Sequence, residues 1–155
     1  MKQFTIWVDA DSCPVQAKNI ILKAAVRLNL YVNYVANRKI PFSIENPNFK
    51  MIVCENNEGA ADNYIVENAC CDDLVITRDL PFAQRLVEKN ICVINDRGTV
   101  FTKENLKEKI EQRNLNMLMN ACGVKTGGRM NGYGKQETYE FANCLDKILT
   151  KKVNS

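Results

Sequence analysis

Short apolar runs alternate along the chain with longer segments in which apolar residues recur every three or four positions. The short runs are typical of buried strands, and the longer spacing is typical of helices with one face against a sheet. Strands are predicted at about residues 4–8, 31–35, 51–54, 74–77 and 91–94. Helices are predicted at about residues 14–29, 60–71, 81–87, 103–120 and 135–150. The alternation predicts an α/β fold, a single three-layer domain whose mostly parallel five-stranded sheet is flanked by helices.

Two polar segments interrupt this pattern. Residues 37–48 hold two prolines and are predicted as a loop, and residues 123–134 hold five glycines in twelve positions. The chain shows no repeat and no interdomain linker, so residues 1–150 are expected to form one domain. Residues 151–155 are expected to be a frayed, disordered tail.

The composition excludes several kinds of chemistry. The 155 residues include no histidine and no Cys-x-x-Cys pair, which excludes a Cys/His zinc site and every mechanism that needs a histidine base. No apolar run reaches the length of about 18 residues that a membrane span needs. The opening residues MKQFTIWVDAD lack the apolar core of a secretory signal, so we expect a cytoplasmic protein with no membrane partner.

The charge is distributed unevenly. Residues 1–100 carry 11 Lys and Arg against 12 Asp and Glu, a net charge of −1, whereas residues 101–155 carry 10 against 6, a net charge of +4. This mild excess does not demonstrate a nucleic-acid partner. It is compatible with a basic face beside an acidic site.

Acidic residues follow several of the predicted strands. Asp9 and Asp11 follow the first strand, Asp79 the fourth and Asp96 the fifth, and Asp62 lies in the first turn of the helix before the fourth strand. Parallel sheets bind ligands at the carboxyl ends of their strands, so these acids are expected to converge on one edge. Carboxylates held close together repel one another, and a hard cation such as Mg²⁺ or Mn²⁺ offsets that cost. Such sites hydrolyse phosphodiesters without a histidine.

Most of these acids also have a purely structural interpretation. Asp11 or Ser12 is suited to cap the first helix, and Asp79 to cap the helix that begins near Pro81. Asp62 can complement a helix dipole. For Asp9 a structural role is hardest to argue, because a carboxylate at the end of an apolar strand needs a partner.

Three further acids are interpreted as structural or solvated. Asp96 lies in a turn-like Asn-Asp-Arg-Gly segment, where it is expected to be structural or paired with Arg97. Asp72 and Asp73 lie in a predicted connecting loop, and both are expected to be solvated.

The basic, Gly-rich segment at residues 123–135 allows two interpretations. Its backbone amides, with Lys125, Arg129 and Lys135, could surround a phosphate backbone, and Tyr133 could stack on a base. The alternative, slightly favoured by composition alone, is a mobile linker between two helices. The segment is not a Walker A loop, because it lacks that motif's sequence and no strand precedes it.

Five motifs, in order, span nearly the whole chain. They are Val8-Asp-Ala-Asp-Ser-Cys-Pro-Val15, Glu58-Gly-Ala-Ala-Asp-Asn-Tyr-Ile65, Thr77-Arg-Asp-Leu-Pro-Phe-Ala83, Asp96-Arg-Gly98 and Gly123-Val-Lys-Thr-Gly-Gly128. Together they resemble the YaiI/YqxD family of uncharacterised bacterial proteins, a group with a PIN-like nuclease fold related to the NYN domains. Nuclease function in this group is an analogy from the fold and the acids, and a fold alone does not determine function.

The resemblance implies roles for particular residues. The acids of PIN-like nucleases fall by position on Asp9, Asp62 and Asp79, with Asp11 as a fourth, and the weaker match at Asp96 stands where the family often has Pro. It also implies that Thr77 and the turn at 78–81 shape the metal site. Near the C-terminus the family tends to have Asp-Arg before a helix Phe. This chain has Glu137-Thr-Tyr-Glu-Phe141 there and lacks that Arg.

The leading hypothesis is therefore a Mg²⁺- or Mn²⁺-dependent nuclease acting on RNA. Asp9, Asp62 and Asp79 hold the metal in this hypothesis, and Asp11 completes the catalytic set. The candidates for phosphate contact are Lys18, Arg78, Arg97, Lys125 and Arg129. Two alternatives are a haloacid-dehalogenase-type phosphatase with Asp9 as nucleophile and a non-catalytic, metal-dependent RNA-binding module. A homodimer is a further expectation, because toxin-type PIN relatives often pair.

Overall fold

The computed structural model describes residues 3–57, 59–124 and 132–154, and within them it has five strands and five helices. In chain order these are β1 (Thr5–Asp9), α1 (Val15–Leu28), β2 (Tyr31–Ala36), β3 (Phe49–Val53), α2 (Ala60–Asn68), β4 (Leu74–Ile76), α3 (Leu80–Glu88), β5 (Cys92–Ile94), α4 (Lys103–Ala121) and α5 (Lys135–Val153). All the predicted elements are present. Their ends differ from the prediction by a few residues, chiefly at the start of β3 and the end of α2.

The sheet is parallel throughout, with the strand order β3-β2-β1-β4-β5. The chain builds outward from β1 to β3 on one side and then crosses to add β4 on the other side of β1. The point between β1 and β4 is therefore the topological switch point, where open parallel sheets leave a crevice for ligands at the carboxyl ends of the strands. Asp9 ends β1 at this point, and Val8 pairs with Ile76 at the end of β4.

Apolar layers cover both faces of the sheet. Ile6 and Val8 face a core that includes residues of α1 and α5, whereas Trp7 faces a second core with residues of α2, α3 and α4. Alternate residues of a strand point to opposite faces, so a run that is apolar at every position is buried on both sides. The predicted three-layer α/β architecture is confirmed. None of the helices in the described ranges is both long and apolar enough to cross a bilayer.

Helix α1 begins after Pro14 and ends at Asn29. Pro14 is the N-terminal cap and makes no side-chain capping bond, so the predicted capping by Asp11 or Ser12 is wrong. Proline suits this position because its missing N–H would have no partner inside the helix. Asn29 adopts the left-handed conformation (φ 54°), and its N–H closes the helix on Ala25 and Val26.

Helix α5 is longer than predicted. Its buried residues Phe141, Leu145, Leu149 and Val153 recur every four positions and form one apolar face. Because Val153 is buried, residues 151–153 continue the helix where the sequence predicted a frayed tail.

Asp73 corrects another expectation, since it is buried instead of solvated. Its carboxylate accepts hydrogen bonds from the backbone N–H of Thr5 (3.0 Å), the indole Nε1 of Trp7 (3.0 Å) and the backbone N–H of Cys70 (2.9 Å). A buried carboxylate is stable when it is paired in this way. Asp73 thereby ties the start of β1 to the segment that leads into β4.

Candidate acidic site at the switch point

Asp9 lies at the centre of the switch point, half-buried at the end of β1. Its Oδ2 atom accepts hydrogen bonds from the hydroxyls of Thr77 (2.9 Å) and Ser12 (3.1 Å). Burial raises the pKa of Asp9 above its usual value, and these two hydrogen bonds partly oppose the shift. The carboxylate is held in one orientation by hydroxyls from two different segments.

Thr77 joins Asp9 to the turn after β4. The Thr77 side chain is buried, and its Oγ1 atom donates to Asp9 and accepts from the backbone N–H of Asp79 (3.1 Å). A hydroxyl can do both at once because it carries one donor and two acceptor positions. Thr77 therefore fixes the turn that carries Asp79 relative to the end of β1.

Asp79 is the N-terminal cap of α3, as its structural interpretation predicted. Its Oδ1 atom accepts a hydrogen bond from the backbone N–H of Phe82 at 3.0 Å. The same carboxylate raises the pKa values of Asp9 and Asp62 by charge repulsion, so it also belongs to the acidic group. Capping and a role at the site are therefore compatible at this residue.

Asp62 lies in the first turn of α2. Gly59, the residue before that helix, adopts the left-handed conformation (φ 80°). Burial, together with the charges of Asp9 and Asp79, raises the pKa of Asp62 to about 6 against an opposing effect of Arg85. Within the part of the chain that the structure describes, the Asp62 carboxylate makes no hydrogen bond. Its charge is thus the least compensated of the three.

Asp9, Asp62 and Asp79 come from three separate elements and form one electrostatically coupled group, called the acidic cluster below. A donor set made only of carboxylate oxygens suits Mg²⁺ or Mn²⁺. Their mutual repulsion is a cost that a bound cation would remove. Across residues 3–57, 59–124 and 132–154, however, no three acids or cysteines are grouped closely enough to hold a metal ion as they stand.

The Asp11 carboxylate is bonded to the residues that follow β2. Its Oδ2 atom accepts from the backbone N–H of Asn37 (3.2 Å), and its Oδ1 atom accepts from the Nε of Arg38 (3.3 Å). Its charge still contributes to the raised pKa of Asp9. Asp11 thus ties the loop after β1 to the end of β2, and its own carboxylate oxygens are already engaged.

Asp96 is structural, but its partner differs from the expected one. It is buried and forms an ion pair with Arg78, while Arg97 lies 3.6 Å from the carboxylate of Glu137. The hydroxyl of Tyr133 donates to the backbone carbonyl of Asp96 at 2.7 Å. Arg78, a predicted phosphate contact, is therefore already paired, although nearly half of its side chain is exposed (47%).

The buried thiol of Cys13 shows which charges surround the switch point. Burial, together with the carboxylates of Asp96 and Asp9, raises its pKa to about 12 against the opposing charges of Lys18 and Arg78. Lys18 and Arg78 therefore lie near the same thiol as Asp9. Their role in phosphate contact stays a prediction.

The two remaining candidates for phosphate contact belong to the Gly-rich segment. Lys125 and Arg129, with most of the Gly-rich segment, lie outside the described residues. Ser12 and Arg38 were not selected from the sequence as site residues. Arg38 follows the end of β2, so the rule that selected acids after β1, β4 and β5 would have found it if applied to basic residues.

The fold and this edge define a parallel α/β protein with carboxylates at the switch point of its sheet. The chain belongs to the family described as "Uncharacterized BCR, YaiI/YqxD family", whose model matches residues 7–151. A UPF0178 protein from Treponema denticola is 47% identical over 94% of this chain and 92% of its own length. UPF0178 proteins from Aliivibrio salmonicida (40%; 94% and 95%) and Treponema pallidum (37%; 95% and 82%) are also similar. No solved structure matches the chain significantly.

Proposed function

We propose that the protein is a cytoplasmic, Mg²⁺- or Mn²⁺-dependent phosphodiesterase that cleaves RNA. The observation that carries the proposal is the acidic cluster, three repelling carboxylates at the switch point of a parallel sheet. Structural carboxylates are normally paired, as Asp73 and Asp96 are here. Asp62 lacks such a pairing, which favours a cation as the missing partner. The PIN-like relationship and the homodimer stay predictions.

Asp9, Asp62 and Asp79 would hold the cation in this proposal. The bound cation would supply an activated water and stabilise the charge that develops on the phosphate. The hydroxyls of Thr77 and Ser12 hold Asp9 so that its second oxygen is left to face a ligand. The capping bond of Asp79 likewise uses one oxygen and leaves the other. The three side chains would have to move closer together to hold the cation, because the described residues include no group tight enough as it stands.

Basic residues at the same edge would bind the phosphate. The charges of Lys18 and Arg78 both lower the pKa of Cys13, which Asp9 raises, and part of the Arg78 side chain is exposed. The Arg78–Asp96 ion pair holds that guanidinium in place. Cations beside the acidic cluster offset the repulsion that a phosphate would otherwise meet there.

One specific contact favours a second candidate, a phosphatase of the haloacid-dehalogenase type. In that reaction Asp9 would attack the phosphate, and the hydroxyl of Thr77 beside it would help to orient the group. Asp11 would have to act as the acid, but its carboxylate is bonded to Asn37 and Arg38. This engagement makes the phosphatase the weaker of the two candidates.

Cleavage of an end-labelled oligoribonucleotide tests the proposal. The wild-type protein should produce shorter strands with millimolar Mn²⁺ or Mg²⁺ and none with EDTA, and Asp9→Asn should produce none in either condition. The matched control is Asp146→Asn, which removes an exposed acid on α5. Cleavage by Asp9→Asn at the wild-type rate would overturn the assignment. RNA binding without scission would favour the binding module, and aryl phosphate turnover with a phosphorylated Asp9 would favour the phosphatase.

A further inference from the structure

A cleft of about 390 Å³ opens between the first turns of α1 and the loop after β2. Its rim carries two cations, Lys18 and Arg38, and its apolar wall includes Tyr34, Ile40 and Phe42. The sequence interpretation treated residues 37–48 as a plain connecting loop. The structure gives that loop a surface of defined shape and charge.

The apolar wall is built around a stacked pair of rings. Phe42 stacks on the buried ring of Tyr34, with ring centroids 4.3 Å apart and planes inclined by 29°. Phe42 is itself only half-buried, and Val15 at the mouth of the cleft is 64% exposed although it is apolar. A flat aromatic ligand would cover the apolar surface that these side chains leave open.

The side chains of Lys18 and Arg38 are available to bind an anion. The Lys18 side chain makes no hydrogen bond or ion pair with any residue of the described ranges, although it is half-buried. Arg38 bonds Asp11 through Nε alone, and 75% of its side chain is exposed, so its terminal guanidinium nitrogens face outward. Lys18 and Arg38 carry two positive charges against the one negative charge of Asp11, so this rim has an excess of positive charge.

The cleft adjoins the loop that follows β1. Arg38 on its rim bonds Asp11, which lies two residues after Asp9. The rim therefore lies near the end of β1. An aromatic surface joined to a cationic rim matches the base and the phosphate of one nucleotide.

We infer that this cleft binds one nucleotide of a single-stranded nucleic acid, with its base against Phe42 and its phosphate between Lys18 and Arg38. The inference rests on the proposed function, since it places the neighbouring phosphodiester at the acidic cluster. A base can enter the cleft only when it is unpaired and unstacked, so the occupant is a single strand. The cleft thus selects the strandedness of the substrate.

Binding of a fluorescent octa-adenylate in EDTA tests the inference separately from catalysis. Lys18→Gln and Arg38→Gln should each weaken binding about fivefold to tenfold and lower the salt dependence by about 0.7 per contact. Lys39→Gln is the matched control, because Lys39 is exposed and adjacent to Arg38 but lies outside the cleft. It should change the affinity less than about twofold.

An abasic strand of the same length separates base recognition from charge attraction. Phe42→Leu should weaken binding of octa-adenylate about tenfold and leave binding of the abasic strand unchanged. Val15→Ser should act in the same direction without touching the core, so a folding defect in Phe42→Leu cannot hide the result. Melting curves establish that each variant is folded.

The two proposals fail in different ways. Equal effects of Lys18→Gln and Lys39→Gln, or equal binding of adenylate and abasic strands, would overturn the cleft as a nucleotide site. If the cleft variants behave as expected but the wild type never cleaves RNA with Mn²⁺, the nucleotide site stands and the proposed nuclease activity falls. If RNA cleavage depends on Asp9 but the cleft variants bind octa-adenylate like the wild type, the nuclease proposal stands and the nucleotide site falls.

Discussion

The hydroxyl of Thr77 donates a hydrogen bond to Oδ2 of Asp9 at 2.9 Å, although the two residues lie 68 positions apart in the chain. The bond crosses the switch point between the paired strands β1 and β4, just beyond the last backbone pair, Val8 with Ile76. The same hydroxyl accepts the N–H of Asp79. Thr77 is therefore a positioning residue that sets two members of the acidic cluster relative to each other.

Replacing Thr77 with valine should disturb both of these bonds while keeping the shape of the side chain. We expect Thr77→Val to lower the free energy of unfolding by about 1–3 kcal/mol, because the N–H of Asp79 loses its partner. It should also weaken the response to Mn²⁺, since Asp9 is no longer held. Urea denaturation and melting with and without Mn²⁺ measure the two effects.

Thr77→Ser is the matched control, because it keeps the hydroxyl and removes one methyl group. Recovery of the Mn²⁺ response in Thr77→Ser would support a positioning role. If the serine and valine variants lost the response equally, packing rather than the hydroxyl would be responsible.

Asp62 predicts a distinctive dependence of stability on pH. Its pKa in the folded protein is about 6, above the ordinary value of 3.8, so the folded state binds this proton more tightly than the unfolded state. The contribution of Asp62 to the free energy of unfolding should therefore fall as the pH rises from about 4 to about 6, and stay low above that range. Asp62→Asn should be more stable than the wild type at pH 7.5, and this advantage should shrink near pH 4.

Melting at the two pH values checks this prediction. Glu67→Gln, which removes an exposed acid from the same helix, is the control. A stabilisation by Asp62→Asn no larger at pH 7.5 than at pH 4 would contradict the coupling of Asp62 to Asp9 and Asp79.

Removal of the Asp73 carboxylate should be strongly destabilising. Asp73→Ala leaves the N–H groups of Thr5, Trp7 and Cys70 without their acceptor, and we expect a loss of about 3 kcal/mol in the free energy of unfolding. Asp72→Ala, at the exposed neighbouring position, should change it by less than about 0.5 kcal/mol. Denaturant titration followed by Trp7 fluorescence compares them, and similar values for both would refute the buried network.

Gly98, in the turn after β5, and Gly123 have the same backbone conformation, but their replacement by alanine should cost different amounts of stability. Gly98 and Gly123 have φ values of 85° and 83°, but a Cβ at Gly98 would lie 2.6 Å from the backbone oxygen of Glu140, whereas no atom of the described residues lies within 4 Å at Gly123. Gly123→Ala should cost about 1 kcal/mol for the left-handed conformation alone. Gly98→Ala should cost about 2 kcal/mol more, because α5 must move. Equal losses in denaturant titrations would contradict this close packing.

Local patterns in the sequence account for most of the fold. The short apolar runs predicted all five strands, and Pro81 with Asp79 before it predicted the start of α3. The strand order was not predictable in the same way, because it depends on which strands pair across long stretches of chain. The length of α5 was underestimated, since Val153 continues the apolar face among lysines that are typical of an exposed tail.

The acidic cluster was predictable because strand ends in a parallel sheet meet at one edge. The partners of the other acids were not, because each partner is distant in sequence. Asp73 bonds Trp7, and Asp96 pairs with Arg78 instead of its neighbour Arg97. The cleft at Lys18 and Arg38 was missed because its aromatic wall exists only when Phe42 folds back onto Tyr34.

Thermal melting with and without millimolar Mn²⁺ tests most directly whether the acidic cluster binds a divalent cation. A ligand that binds only the folded state stabilises it by about 2.7 kcal/mol at a hundredfold excess over Kd. The account predicts that Mn²⁺ raises the Tm of the wild type and of the Asp146→Asn control, and leaves the Tm of Asp9→Asn unchanged. An equal rise in wild type and Asp9→Asn, or no rise in the wild type, would contradict it.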